Sequence, residues 1–166
     1  MIFVDGCVLE SAVGAAGAPR AEAQQYFLRC LDLGIPLATS AAAVLQATTR
    51  FEAADRVDRI DRLLELVRGR CVDVWSLEFE DVCHAHRLRG DFPDLDERAL
   101  VKLAACRRRG VAAIHTYDGM LRYASRLCAG GMRPTAADRA RAFQRKWEEE
   151  RRREREAAVR GGTHVP

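Results

Sequence analysis

The chain has 166 residues, of which 48% are hydrophobic, so it can form one domain with a sizeable core and an appendage. No apolar run reaches the roughly 18–20 residues that a membrane-spanning helix needs. The N-terminus also lacks the basic start of a signal peptide, so we expect a cytoplasmic protein.

The charged residues exclude a general polycation, because the net charge is only +3. Nearly all cations are arginine, and the only lysines are Lys102 and Lys146. Arginine suits phosphate and nucleic-acid binding, but a GC-rich genome explains the same bias equally well. The six cysteines contain no Cys-x-x-Cys pair, which argues against a zinc knuckle or a redox motif.

The first predicted element is a buried strand over Ile2–Val4, which ends at Asp5. A helix is predicted over 19–33, followed by a short strand over 35–39. Ser40 is the predicted N-cap of the next helix.

The middle of the chain continues this alternation. A helix is predicted over 56–67, a strand over 72–76 and a helix over 78–88. The turn-forming residues 90–96 predict a loop, and a further helix follows over 97–109.

The last elements of the predicted domain are a strand over 111–116 and a short helix over 120–127. Strands that alternate with helices imply a parallel sheet with helices on both faces. We therefore expect an α/β domain over 1–130. The remainder, 131–166, is predicted to be a charged C-terminal helical extension with a loose tail.

Apolar residues at helical spacing define the helix faces that we expect to be buried. They are Tyr26, Phe27, Cys30 and Leu31; Val44, Leu45, Thr48 and Phe51; Val57, Ile60, Leu63, Leu64 and Val67; Phe79, Val82 and Cys83; and Leu100, Leu103, Ala104 and Cys106.

Acidic residues follow two of the predicted strands, Asp5 after the first and Asp118 after the fourth. In a parallel sheet both would emerge at the same edge, where ligands of such folds bind. A third acid, Asp94, Asp96 or Glu97, opens the helix before the fourth strand. Clustered carboxylates are tolerated when a cation balances them, and oxygen ligands favour Mg²⁺ or Mn²⁺, which activate water for phosphodiester hydrolysis.

Each of these acids also has a purely structural interpretation. Asp5-Gly6 and Asp118-Gly119 are common turn pairs, while Asp96 could be a helix N-cap and Asp94 and Glu97 a pair of capping residues. His84 and His86 stand two residues apart on a predicted helix and so do not share a face. We find no Ser/His/Asp set, phosphate-binding glycine loop or dinucleotide motif.

The order of several short segments resembles the PIN domain, the nuclease fold of many VapC-type toxins. The segments are Ile2-Phe3-Val4-Asp5-Gly6-Cys7-Val8-Leu9, Leu37-Ala38-Thr39-Ser40 with Val44-Leu45-Gln46, Ala99-Leu100-Val101-Lys102-Leu103-Ala104-Ala105, Gly110-Val111, and Ile114-His115-Thr116-Tyr117-Asp118. The resemblance covers residues 1 to about 125. It implies a three-layer sandwich with a central parallel sheet flanked by helices.

The resemblance also implies four acidic positions, of which this chain matches two. Asp5 and Asp118 match the first and the last. The position on the second helix that is usually Glu holds Gln46, and the position on the late helix falls on Ala99. Asp96 lies about one turn earlier, on about the same face, and could substitute for it.

The resemblance implies a Mg²⁺- or Mn²⁺-dependent ribonuclease, as the toxin of a toxin–antitoxin pair. Asp5, Asp96 and Asp118 would hold the ion and orient the attacking water, with Asp94, Glu97 and Gln46 as further candidates. The partners would be RNA, a cognate antitoxin protein and, in a homodimer, a second copy. Gln46 and Ala99 favour an alternative, a degenerate PIN-like module that binds RNA or protein. A third alternative, a small-molecule phosphohydrolase, lacks the closely spaced second acid.

Overall fold

The computed structural model describes residues 1–129, together with residues 148 and 152. Its strands are β1 (Ile2–Val4), β2 (Leu37–Ser40), β3 (Cys71–Trp75) and β4 (Ala113–His115). They form a parallel sheet in the order β3-β2-β1-β4. The predicted α/β architecture with a central parallel sheet is therefore confirmed.

The described helices cover both faces of this sheet. They are α1 (Gly6–Val13), α2 (Ala18–Asp32), α3 (Ala41–Ala53), α4 (Asp58–Arg70), α5 (Phe79–Leu88), α6 (Glu97–Arg108) and α7 (Gly119–Ala129). Among the described residues, no helix is long and apolar enough to cross a membrane. The predicted C-terminal helix, apart from Glu148 and Arg152, lies outside the described residues.

Two hydrophobic clusters form the core, because neighbouring strand residues point to opposite faces of the sheet. Phe3 and Ala38 belong to one cluster, which α5, α6 and α7 complete. Val4 and Leu37 belong to the other, which α1 to α4 complete. The strands thus contribute side chains to both clusters, which explains their almost continuous apolar sequence.

No helix was predicted over α1 (Gly6–Val13), although its N-terminus determines the position of the first acid. Asp5 is the N-cap of α1, and its Oδ1 accepts a hydrogen bond from the Gly6 amide at 2.8 Å. A turn was the structural alternative at Asp5-Gly6, but the pair begins a helix. Tertiary packing explains the glycine instead, as the contacts of α3 show below.

Several helix faces were assigned wrongly. Leu31, Leu45, Val57, Phe79 and Val82 were predicted to be buried but are exposed, Phe79 by 77%. In α3 the small Ala43 and Ala47 are buried alongside the predicted Phe51, and in α5 a carboxylate, Asp81, is buried. Apolar spacing overlooked these positions because it gives most weight to large apolar side chains, little to alanine and none to a paired acid.

Candidate active site

Asp5 is a buried carboxylate at the carboxyl end of the central strand β1, and only 4% of the residue is exposed. Both of its oxygens accept hydrogen bonds. Oδ1 accepts from the Gly6 amide at 2.8 Å and from Lys102 Nζ at 2.7 Å. Oδ2 accepts from Thr116 Oγ1 at 2.8 Å. A buried charge is tolerable only with such partners. The start of α1, α6 and the residue after β4 each supply one of these donors to Asp5.

Lys102 brings α6 into the site and binds two partners. Its Nζ donates to Asp5 Oδ1 at 2.7 Å and to Gln46 Oε1 at 2.9 Å. The lysine side chain is only 12% exposed. The ammonium thus links β1, α3 and α6 at the edge of the sheet.

Gly6 allows α3 to pack closely against the start of α1. A Cβ on Gly6 would lie 2.6 Å from the carbonyl oxygen of Ala43 and 3.5 Å from Gln46 Oε1. The first distance is too short for any side chain, so the packing of α1 on α3 requires glycine here. The close approach places Gln46, one turn after Ala43, next to Asp5.

Asp118 is exposed, and its carboxylate is engaged in capping α7. Its Oδ1 accepts from the amides of Met120 at 2.8 Å and Leu121 at 3.0 Å. Its own amide donates to Thr116 Oγ1 at 3.0 Å. Thr116 therefore connects the backbone of Asp118 to the Asp5 carboxylate, while the Asp118 carboxylate holds the start of a helix.

The third predicted group of acids has similar structural roles. Asp96 is exposed and caps α6, because its Oδ1 accepts from the Ala99 amide at 2.7 Å. Glu97 is exposed and pairs with Arg89 at 3.6 Å, and Asp94 is half-buried. Ala99 is buried and offers no ligand atom.

Cys7 lies beside Asp5, with its Sγ 3.6 Å from Asp5 Oδ2 and 3.5 Å from Thr116 Oγ1. Burial raises the pKa of the Cys7 thiol, and the negative charge of Asp5 raises the same pKa further. The thiol therefore stays protonated at neutral pH and is a poor nucleophile. It contributes hydrogen bonds to the site.

The sequence is 37% identical over 126 residues to ribonuclease VapC23 of Mycobacterium tuberculosis, a match covering 76% of this chain and 99% of that protein. The chain belongs to the VapC ribonuclease family. VapC23 in a second strain of that organism matches equally well. No family model matches the chain.

A solved VapC structure has the same fold. It is VapC20 of Mycobacterium tuberculosis, described as a toxin that cleaves the sarcin-ricin loop. The TM-score is 0.58 at 18% sequence identity, and the match covers 73% of this chain and 92% of VapC20. The PIN-like fold expected from the resemblance is therefore confirmed.

The described part of this VapC chain presents no divalent-metal site. Over residues 1–129, no group of three or more His, Cys, Asp or Glu side chains is placed to hold a metal ion. The groups that contact Asp5 are instead the Gly6 amide, the Thr116 hydroxyl, the Cys7 thiol and the Lys102 ammonium. A set with one carboxylate and a fixed cation does not suit Mg²⁺ or Mn²⁺, which prefer several oxygen ligands.

Two of the residues that meet at Asp5 had no role assigned from the sequence, Lys102 and Thr116. Lys102 lies on the same helical face as Ala99 and Cys106, both buried. A lysine on an apolar face needs a buried anionic partner. Lysine is also rare in this chain, whose cations are almost all arginine. That signal could have identified Lys102. Thr116 offered none, because threonine is common in strands.

Proposed function

We propose that this chain hydrolyses phosphodiester bonds of RNA at the site around Asp5, as the toxin of a toxin–antitoxin pair in the cytoplasm. The observation that carries the proposal is its 37% identity to a ribonuclease over nearly the whole length of that protein. The buried carboxylate at the central strand end supports it, since ligands of open α/β sheets bind at that edge. The partners are RNA and a cognate antitoxin protein.

Two cations, Lys102 at Asp5 and Arg122 at the Thr116 carbonyl, suit a phosphodiester. Lys102 is an ammonium with three donors, two of which have partners in the site. Arg122 is exposed and is anchored on the Thr116 carbonyl by Nη2 at 2.6 Å and Nε at 3.1 Å. Cations fixed next to the reacting phosphate stabilise the negative charge that develops there.

A metal-dependent form of this proposal uses Asp5, Asp96 and Asp118 as ligands of Mg²⁺ or Mn²⁺, with Asp94, Glu97 and Gln46 in support. It requires Asp96 and Asp118 to bind the ion through Oδ2, because their Oδ1 atoms accept hydrogen bonds from the helix amides that they cap. It also requires Lys102 to leave Asp5.

The test is cleavage of a labelled generic RNA by the full chain, with Mg²⁺, with Mn²⁺ and with a chelator. The matched variants are Asp5→Asn and Asp32→Asn, the second at the exposed end of α2. We expect Asp5→Asn to lose most of the cleavage and Asp32→Asn to retain it. Equal cleavage by Asp5→Asn and the wild type would contradict the proposal.

The second candidate is a module that binds RNA without cleaving it. Gln46 and Ala99 favour it, because they stand where the family resemblance implies acids, and so does the ammonium of Lys102 beside Asp5. RNA binding measured by fluorescence anisotropy distinguishes the two candidates. Tight binding with no cleavage under any metal condition would establish the module.

A further inference from the structure

The environment of Lys102 resembles that of a cation site. Its Nζ contacts one carboxylate oxygen, Asp5 Oδ1 at 2.7 Å, and one amide oxygen, Gln46 Oε1 at 2.9 Å. We propose that the Lys102 ammonium is the resident cation of this site and excludes divalent metal from it. The ammonium would balance the negative charge of Asp5 whether or not the chain cleaves RNA.

The charges of the contacting groups balance without a metal ion. Asp5 contributes one negative charge, Lys102 contributes one positive charge, and Gln46 is neutral. Glu at position 46 and Asp at position 99 would add two further negative charges, which a single ammonium could not compensate. The neutral residues Gln46 and Ala99 thus match the single positive charge of the Lys102 ammonium. We interpret the three residues together as one change from a metal site to an ammonium site.

The geometry leaves little room for a competing ion. Oδ1 of Asp5 already accepts two hydrogen bonds, and Oδ2 accepts from Thr116. The other two predicted ligands, Asp96 and Asp118, each have Oδ1 engaged by the helix amides that they cap. A divalent ion would have to displace a buried ammonium and would gain one carboxylate in return.

The decisive experiment uses the wild-type full chain, which needs no substitution in order to fold. Mn²⁺ is titrated into the protein, and free Mn²⁺ is measured by electron paramagnetic resonance alongside the midpoint of thermal unfolding. We expect neither saturable binding nor a rise in the midpoint. Saturable binding that Asp5→Asn abolishes would overturn the proposal.

Two variants should gain Mn²⁺ binding, which can be measured without RNA. Lys102→Met removes the ammonium and leaves Asp5 uncompensated, so its unfolding midpoint should fall and should recover in part with Mn²⁺. The triple variant Gln46→Glu, Ala99→Asp, Lys102→Ala should bind Mn²⁺ saturably, whereas the wild type should not. The matched control is Arg126→Met, which removes an exposed cation of α7 and should show no response to Mn²⁺.

The outcome does not depend on the proposed function. If the wild type binds no Mn²⁺ and both variants gain affinity, Lys102 is the resident cation even where RNA cleavage is absent. If the wild type binds none and the variants that fold gain none, the ammonium does not occupy a cation position, and the proposal fails. RNA cleavage tested separately then decides the function.

Discussion

Thr116 donates its hydroxyl hydrogen to Asp5 Oδ2 over 2.8 Å, and this bond joins residues 111 positions apart in the sequence. The same hydroxyl oxygen accepts the amide hydrogen of Asp118 at 3.0 Å. The Thr116 side chain, directly after β4, therefore donates a hydrogen bond to the buried carboxylate of Asp5 and also holds the turn at which α7 begins. Neither link depends on a metal ion.

Thr116→Val should destabilise the fold, because it keeps the shape of the side chain but leaves Asp5 Oδ2 with one partner fewer. Loss of a hydrogen bond to a charged group costs about 1.5–3 kcal/mol. Urea unfolding measures the change. Thr48→Val is the control, since the Thr48 hydroxyl donates to the Leu45 carbonyl on the surface of α3; a loss of similar size there would contradict this account.

Gly6→Ala should destabilise the protein and disturb the site together. Its new methyl group would lie 2.6 Å from the Ala43 carbonyl oxygen, so α3 must move and carry Gln46 with it. Overpacking of this kind costs roughly 1–3 kcal/mol. The measurement is the free energy of unfolding.

The matched control for Gly6 is Gly69→Ala. Gly69 lies in α4, where an added Cβ meets nothing within 4 Å. Alanine is the better helix former by about 1 kcal/mol, so this substitution should leave stability unchanged or raise it. If both alanine variants behave alike, the close approach of α1 and α3 does not matter.

Asp81 should make stability depend on pH at the acid end. Its side chain is buried and pairs with Arg108 at 2.6 Å and with Arg109 at 3.0 Å. Burial by itself raises the pKa of Asp81, but the hydrogen bond from the Glu78 amide and the two arginines outweigh it and lower the pKa below its usual value. The resulting stabilisation is present above the unfolded-state pKa of about 4 and is lost as the pH falls through the lower folded-state pKa.

Asp81→Asn tests this pH dependence. At pH 7 we expect a loss of about 3 kcal/mol, the lower end of the range for a broken buried pair, because both arginines remain partly exposed. The difference from the wild type should shrink when unfolding is measured near pH 3. A difference that stays constant between the two pH values would exclude the ion pairs as its cause.

Asp118 allows a distinction between helix capping and metal binding. Asn caps helices about as well as Asp, whereas Ala does not, at a cost of about 1 kcal/mol. We therefore expect Asp118→Asn to retain both stability and RNA cleavage, and Asp118→Ala to lose stability. Thermal unfolding and the RNA assay measure the two effects. Cleavage lost in Asp118→Asn at unchanged stability would instead assign a ligand role to Asp118.

The sequence predicted the sheet and most helices, because strand formers, N-caps and glycine stops are local signals. Ser40, for example, caps α3 as predicted, with its Oγ accepting from the Ala43 amide at 3.1 Å. Gly34 and Gly110 follow α2 and α6 as predicted, and both have a φ of 62°, which favours glycine.

The site was predictable only in part, because its contacts join residues far apart in the chain. Asp5 could be identified as the acid that follows a buried strand, and it is buried at the sheet edge. Its partners could not be identified, since Lys102 and Asp5 are 97 positions apart. Local pattern also cannot tell a carboxylate that caps a helix from one that binds an ion, which is why the roles of Asp96 and Asp118 remain predictions.

The proposed pairing of Lys102 with Asp5, in place of a metal ion, can be measured directly by lysine ¹⁵N NMR. The chain has only two lysines, Lys102 and Lys146, so their side-chain signals are easily assigned. We predict a slowly exchanging Lys102 ammonium signal that Asp5→Asn removes and that Mn²⁺ does not broaden. A rapidly exchanging Lys102 signal, or one that Mn²⁺ broadens selectively, would contradict this account.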